Sequence, residues 1–237
     1  MLKKLIIAVI SGSFIASAAF ADTTSIGLRI SAATLAATGS TTTDRAASDA
    51  SNTYNSGGVA VNHKEKDGDF ELPSIFIEHA ISVNDAFSMN VGVDYVPMTE
   101  KVASLDGTSG TNADVSAGNL LTMYVQPTFA INDILSVYAK AGYSTGDLEI
   151  RNVVKGGATA AQTNDDASTD TNQDKTLAGP IVGLGVQFKP TFGLVSFIRI
   201  EGTHTDFDQI THVNSNGKVS KADAEMDLIT LSIGKSF

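Results

Sequence analysis

The stretch HTDFDQITH sets His204, Asp206, Asp208 and His212 within nine positions. Imidazoles and carboxylates so close could ligate a metal or form an Asp–His hydrolytic pair. The same residues also suit a strand end that runs into a polar loop. Their spacing matches no zinc pattern. The nearby hydroxyls, Ser215 and Ser220, sit in no nucleophile motif, so the strand end is the better reading. DASTDTNQDKTL, from Asp166, resembles a calcium loop at first sight. Thr171 stands where that loop needs Gly, and Leu177 where it needs a bidentate Glu, so the pattern fails. Only a weak, non-dedicated calcium contact at Asp165, Asp166, Asp170 and Asp174 is left open. GPIVGLG opens no helix and is not the dinucleotide fingerprint. Its glycines suit a crowded, narrow interior. NHKEKDGD, from Asn62, is a solvated charge run. Catalytic residues, cofactor and metal site are therefore all expected to be none, and the chain is not expected to be an enzyme.

A different chemistry is carried by Glu78, Asp94, Lys140, Arg199 and Glu201, charges set inside otherwise apolar segments. Unpaired buried charges are costly. If these five point into one lumen, they are expected to pair as an ionic cluster that plugs it, rather than stand as separate charges solvated by lumen water.

The segments around them alternate. In AFSMNVGVDYV, Phe87, Met89, Val91, Val93 and Tyr95 share one face, with Ser88, Asn90, Gly92 and Asp94 on the other. LTMYVQPTFAI and LSVYAKAGY repeat the pattern, as do SIGLRIS, PSIFIEHAISV, PIVGLGVQF, LVSFIRIEG and LITLSIGKSF. Period two is the strand signal. The count is about eight strands of roughly 8–12 residues, near the ~9–11 that a tilted membrane strand needs. Connections alternate too. NDA, ND and KPTFG are tight turns. The other connections cover about residues 36–70, 97–118, 145–176 and 204–225 and are rich in Thr, Ser, Asn, Asp, Ala and Gly. Short turns on one side and long loops on the other are what a transmembrane barrel has.

In lipid every backbone polar group must be paired, so the sheet must close on itself. A soluble barrel would put the apolar face inside, and Thr122, Gln126, Lys140 and Arg199 would make a poor core for one. The expected fold is all-β: an eight-stranded antiparallel transmembrane β-barrel with short periplasmic turns and four long extracellular loops. Tyr95, Tyr143, Phe87, Phe129, Phe188 and Phe237 must supply the interfacial aromatics, since the chain has no Trp.

Residues 1–21 read as a secretory signal peptide. Lys3 and Lys4 precede an apolar run, and Ala19-Phe20-Ala21 fits small-x-small cleavage. Residues 22–237 are then the barrel domain. Cysteine is absent, so there are no disulfides. A formal charge of -10 argues against nucleic acid as a partner.

At the C-terminus, Ile229, Leu231, Ile233 and Phe237 resemble the recognition signal of bacterial outer-membrane barrel proteins, with Lys235 in place of the usual second aromatic. Leader, eight alternating strands and terminal Phe together resemble the OmpA-like and opacity-protein (Opa-like) surface group. No periplasmic peptidoglycan-binding domain is expected after the barrel. The resemblance implies an outer-membrane location, outer-membrane lipid and the barrel assembly machinery as partners, and a monomer. It also implies a structural or adhesin-like surface role, with some extracellular ligand reached through the loops. The alternative is a narrow, low-conductance porin-like channel, in which a rearranged cluster would act as the gate.

Overall fold

The computed structural model describes residues 23–42, 60–106, 112–154, 173–191, 193–213 and 219–237. The signal peptide expected over residues 1–21, with Ala19 and Ala21, lies outside the described residues. The elements are β1 (Thr23–Thr42), β2 (Ala60–Asn84), β3 (Phe87–Tyr95), β4 (Thr99–Asp106), β5 (Asn112–Ala130), β6 (Leu135–Val154), β7 (Gln173–Phe188), β8 (Phe197–Val213) and β9 (Val219–Ser236). All pairings are antiparallel. β3 joins β2 to β5, and β1 joins β2 to β9, so the sheet closes into a ring. β3 and β4 both lie along β5 and are two pieces of one broken strand. The ring therefore has the eight staves that the alternation predicts.

Two expectations need correction. The strands are not 8–12 residues long: β2 alone has 25 residues and β6 has 20. They run well into the stretches expected to be long loops. The interior also changes character along the barrel axis. Near the short turns the inward residues are mostly polar, with a few aromatics among them, and the outward ones are apolar. Ile26, Leu28, Ile30, Met123, Val125, Leu184, Ile200, Leu231 and Ile233 all project outward and are exposed. So large an apolar belt suits lipid, not water. β3 is 9 residues long and spans the belt from the Phe87 level to the Tyr95 level.

Beyond the belt the pattern inverts. Ala33, Leu35, Leu72, Val96, Leu120, Leu177, Phe207 and Met226 face inward as a buried apolar core. Asp69, His204, Asp206, Asp208, Glu225 and Asp227 face outward. Here the ring also opens. β2 pairs with β3 only from Ile75 downward, and β7 pairs with β8 only from Ile181 downward. The distal section is thus two sheets, β2–β1–β9–β8 and β4–β5–β6–β7, packed face to face as a small sandwich. Period-two alternation has no phase that tells water from lipid. The same HPHP pattern therefore serves a membrane barrel below and a water-borne sandwich above.

Candidate functional site: a charged lumen

Strand alternation sends the side chains of Arg29 (β1), Glu78 (β2), Asp94 (β3), Lys140 (β6), and Arg199 and Glu201 (β8) into the lumen. An eight-stranded barrel is just wide enough for side chains to fill it, so residues at one level must meet. Arg199 holds Glu78 in a two-pronged pair. Its Nη1 donates to Oε2 at 2.7 Å and its Nη2 to Oε1. The Arg199 Nε donates to Gln187 Oε1 at 2.7 Å, which completes the guanidinium's inner edge. Glu78 also accepts from the Tyr124 hydroxyl at 3.1 Å. That hydroxyl in turn accepts from Arg29 Nη2 at 3.1 Å. Arg29 Nη1 donates to Asp94 Oδ2 at 2.9 Å and lies 3.6 Å from Glu201 Oε1. Glu201 accepts from Lys140 Nζ and, at 3.0 Å, from the Tyr138 hydroxyl.

One network thus joins seven strands across the bore, its charges coming from β1, β2, β3, β6 and β8 and its bridging Tyr124 and Gln187 from β5 and β7. Its three cations match its three carboxylates, so the buried layer is neutral, the condition under which burying charge is tolerable.

Four inward aromatics wall the network, each set over a glycine directly opposite on the next strand. The pairs are Phe76 with Gly27, Tyr124 with Gly92, Tyr138 with Gly185, and Phe197 with Gly234. A Cβ on Gly92 would come within 2.4 Å of the Tyr124 ring, and one on Gly185 within 2.4 Å of the Tyr138 ring. The rings lie flat on bare backbone and stack against the cations. The Arg199 guanidinium sits 4.1 Å from the Phe197 centroid, that of Arg29 4.3 Å from Phe76, and the Lys140 ammonium 4.5 Å from Tyr124. Each such contact adds about 0.5–2 kcal/mol where water is excluded.

Between the ionic layer and the distal apolar core is a cavity of about 30 Å³, lined in part by Arg29, Asp94, Lys140, Glu201 and Thr203. Among the described residues, Arg29 Nε, Asp94 Oδ1 and Thr203 Oγ1 are buried without a protein partner. The cavity has room for about two waters to serve them.

All five residues singled out from the sequence are thus in the lumen and in one network. Sequence reasoning missed Arg29, although it stands on the polar side of SIGLRIS between the apolar Leu28 and Ile30. It also gave no weight to Tyr124 and Tyr138, because a hydroxyl that bridges charges looks in sequence like any aromatic in a strand.

The other candidates lie elsewhere. His204, Asp206 and Asp208 are exposed on the outside of β8 above the apolar belt. His204 Nδ1 is 2.8 Å from Asp227 Oδ1. This hydrogen bond, more than any other effect, raises the His204 pKa above the ordinary histidine value. Asp208 accepts from the Tyr143 hydroxyl at 2.9 Å. The side chain of His212 lies outside the described residues, as do Asp165, Asp166 and Asp170, while Asp174 is exposed at the start of β7. Among the described residues, no group of three or more His, Asp or Glu could hold a metal ion. Ile229, Leu231, Ile233 and Phe237 face outward, and Phe237 exchanges backbone hydrogen bonds with Thr24 of β1.

A family model described as outer membrane protein beta-barrel domain matches residues 8–237. No curated protein matches the chain. Similar solved structures include Ail, the attachment invasion locus protein of Yersinia pestis, at 9% identity, 90% coverage of this chain, 98% of that chain and TM-score 0.41. Neisserial surface protein A gives 12% identity, 88% and 97% coverage and TM-score 0.39. The outer membrane protease OmpT of Escherichia coli gives 9% identity, 94% and 99% coverage and TM-score 0.48.

Proposed function

The chain belongs to the outer-membrane protein β-barrel domain family, and from that premise we propose that it is a sealed barrel with a structural and surface-interaction role. It resides in the cell outer membrane, with its short turns in the periplasm and its long connections outside. The neutral six-charge network across the bore carries this reading. Every cation in it is matched by a carboxylate, and the apolar core of the distal sandwich stacks above it as a second barrier. A narrow channel would need a continuous wet path. Between the two barriers lies a cavity of about 30 Å³, sized for about two waters.

The remaining parts fit this role. Residues 1–21 are removed on export, and residues 22–237 form the mature domain. Ile229, Leu231, Ile233 and Phe237 present the assembly signal to the barrel assembly machinery. The barrel acts as a monomer in outer-membrane lipid, without cofactor or catalysis, and meets an extracellular ligand through its distal section.

Single-channel recording of refolded protein in a planar bilayer tests the seal. The wild type is expected to pass no current. Arg199→Ala alone is expected to stay closed, because the apolar layer persists, and Arg199→Ala with Phe207→Ala is expected to leak. Steady current through the wild type would overturn the sealed reading and favour the low-conductance channel.

A further inference from the structure

Side chains of paired residues on neighbouring strands point the same way, so the outward residues of the wall fall into rows. Three successive rows across β1, β9, β8, β7 and β6 differ in kind. The lowest is Ile30, Leu231, Ile200, Val186 and Val137, bulky and apolar throughout. The highest is Thr34, Asp227, His204 and Val182, extended on β2 by Asp69. Between them run Ala32, Ile229, Gly202, Leu184 and Ala139, with Glu71 of β2 at the end. Small and large residues alternate in this middle row. Ile229 and Leu184 are 70% and 71% exposed and stand up on either side of Gly202. A Cβ on Gly202 would find nothing nearer than the Leu228 carbonyl at 4.0 Å. The wall is dented where bulk is missing.

A depression of about 1130 Å³ lies against the middle and upper rows, with Ala32, His204 and Asp227 in its lining. A second, of about 510 Å³, lies against the middle and lower rows, with Val137, Val186 and Ile200. Leu184, Gly202 and Ile229 line both, so the two form one groove. It begins among charges and ends in the apolar belt. Its upper rim carries Asp69, Glu71 and Asp227. Asp69 accepts from Thr34 Oγ1 at 2.8 Å, and Asp227 is held by His204, while Glu71 is exposed at the groove's end. The Lys140 ammonium is committed to Glu201 in the lumen, and Lys101 of β4, on the other side of β2, is already engaged. The field at the rim is negative. Besides its hydrogen bond to Asp227, His204 has its pKa raised by the charges of Asp227, Glu225 and Asp206.

We propose that this groove binds a single-chain amphiphile with an ammonium headgroup, the chain passing over Gly202 toward Val186 and Ile200 and the headgroup resting against Glu71 and Asp227. The apolar belt sets the lower end of the groove in hydrocarbon. Charged side chains stay out of hydrocarbon, so the upper end lies at the membrane surface. An occupant must then be apolar at one end and polar at the other. Only β8 separates Ile229 on β9 from Leu184 on β7, so the passage between them is about one strand spacing wide, ~4.8 Å, which admits one alkyl chain. The carboxylates choose the sign of the headgroup, because an anionic one would meet like charge at the rim. A concave apolar surface with a few placed polar groups is the usual form of a small-ligand site. This proposal rests on the outer-membrane location and is independent of whether the bore is sealed.

The test is native mass spectrometry of the full barrel released from non-ionic detergent. The probes are tetradecylamine and myristate, which share a chain and differ in the sign of the headgroup. The wild type is expected to retain one tetradecylamine, bound about tenfold or more tighter than myristate. Gly202→Leu fills the dent from a position with open space around it and is expected to weaken tetradecylamine about tenfold. Ala32→Leu, exposed in the same row, is a second blocking variant should the first fail to close its barrel, as judged by the gel-mobility shift on boiling. Glu71→Gln is expected to narrow the preference for tetradecylamine over myristate. Equal binding of the two probes, a preference for myristate, or undiminished binding in a closed blocking variant would each overturn the groove as a site and leave only the ordinary lipid contact of the belt. Current through the wild-type barrel would sink the sealed reading and leave amphiphile binding untouched, so the two failures are distinguishable.

Discussion

Replacing Arg199 by Met keeps most of the side chain's apolar length and removes its charge. The structure allows the cost to be worked out. Arg199 is almost wholly buried and gives Glu78 two charge-assisted hydrogen bonds and Gln187 a third. In the variant, Glu78 retains the Tyr124 hydroxyl at 3.1 Å and Asn90 Nδ2 at 3.4 Å, neither of which carries charge. A carboxylate left unpaired in a dry interior costs about 3–5 kcal/mol. The variant is expected to lose about that much. Glu78→Gln with Arg199→Met removes both charges. It is expected to regain at least ~1–2 kcal/mol relative to the single variant, because contacting residues are not additive. The assay is reversible urea unfolding in detergent micelles, with the gel-mobility shift on boiling as the check that each variant closed its barrel. A loss below about 1 kcal/mol for Arg199→Met would refute the reasoning, since it would mean that water solvates the lumen charges much as it does a surface pair.

Gly185→Ala is expected to lower the free energy of unfolding by about 1–3 kcal/mol, because its Cβ would meet the Tyr138 ring at 2.4 Å, whereas Gly202→Ala, whose Cβ finds nothing nearer than the Leu228 carbonyl at 4.0 Å, is expected to stay within about 0.5 kcal/mol. Phe207→Ala is expected to cost about 3–5 kcal/mol by opening a cavity in the distal core, measurable in the same titration, although this residue lies outside the apolar belt. For His204, NMR titration is expected to place the pKa above the ordinary ~6.5, and Asp227→Asn to bring it back down. Because the folded-state pKa is raised, the contribution of this pair is complete below the unfolded value and is lost as pH rises through the folded one. Its high exposure makes the effect on stability small.

Much of the fold is legible in the residues themselves. Alternation over AFSMNVGVDYV, LTMYVQPTFAI and LSVYAKAGY yields strands, because only period two sorts those side chains onto two faces. The spacing of NDA, ND and KPTFG yields the short-turn side, and together these yield the closed eight-stave ring. The polar phase of the same alternation marks Glu78, Asp94, Lys140, Arg199 and Glu201 as inward. Arg29 was there to be read by that rule. Strand lengths were less legible. The distal halves of β2, β6 and β8 carry Asp, Lys, Thr and Gly, which single segments show as loop. They are held as strands by an apolar core assembled from residues as far apart as Leu35, Leu120 and Phe207. Tertiary structure alone decided which charges pair. The partners Arg199 and Glu78 are 121 residues apart, and only closure of the ring at a fixed register brings them to one level. It also decided where the ring opens. Pro73 and Pro97 are unremarkable in their own segments, and the ladder fails there because the β2–β3 register makes them opposite numbers, each without the hydrogen that the other's carbonyl needs.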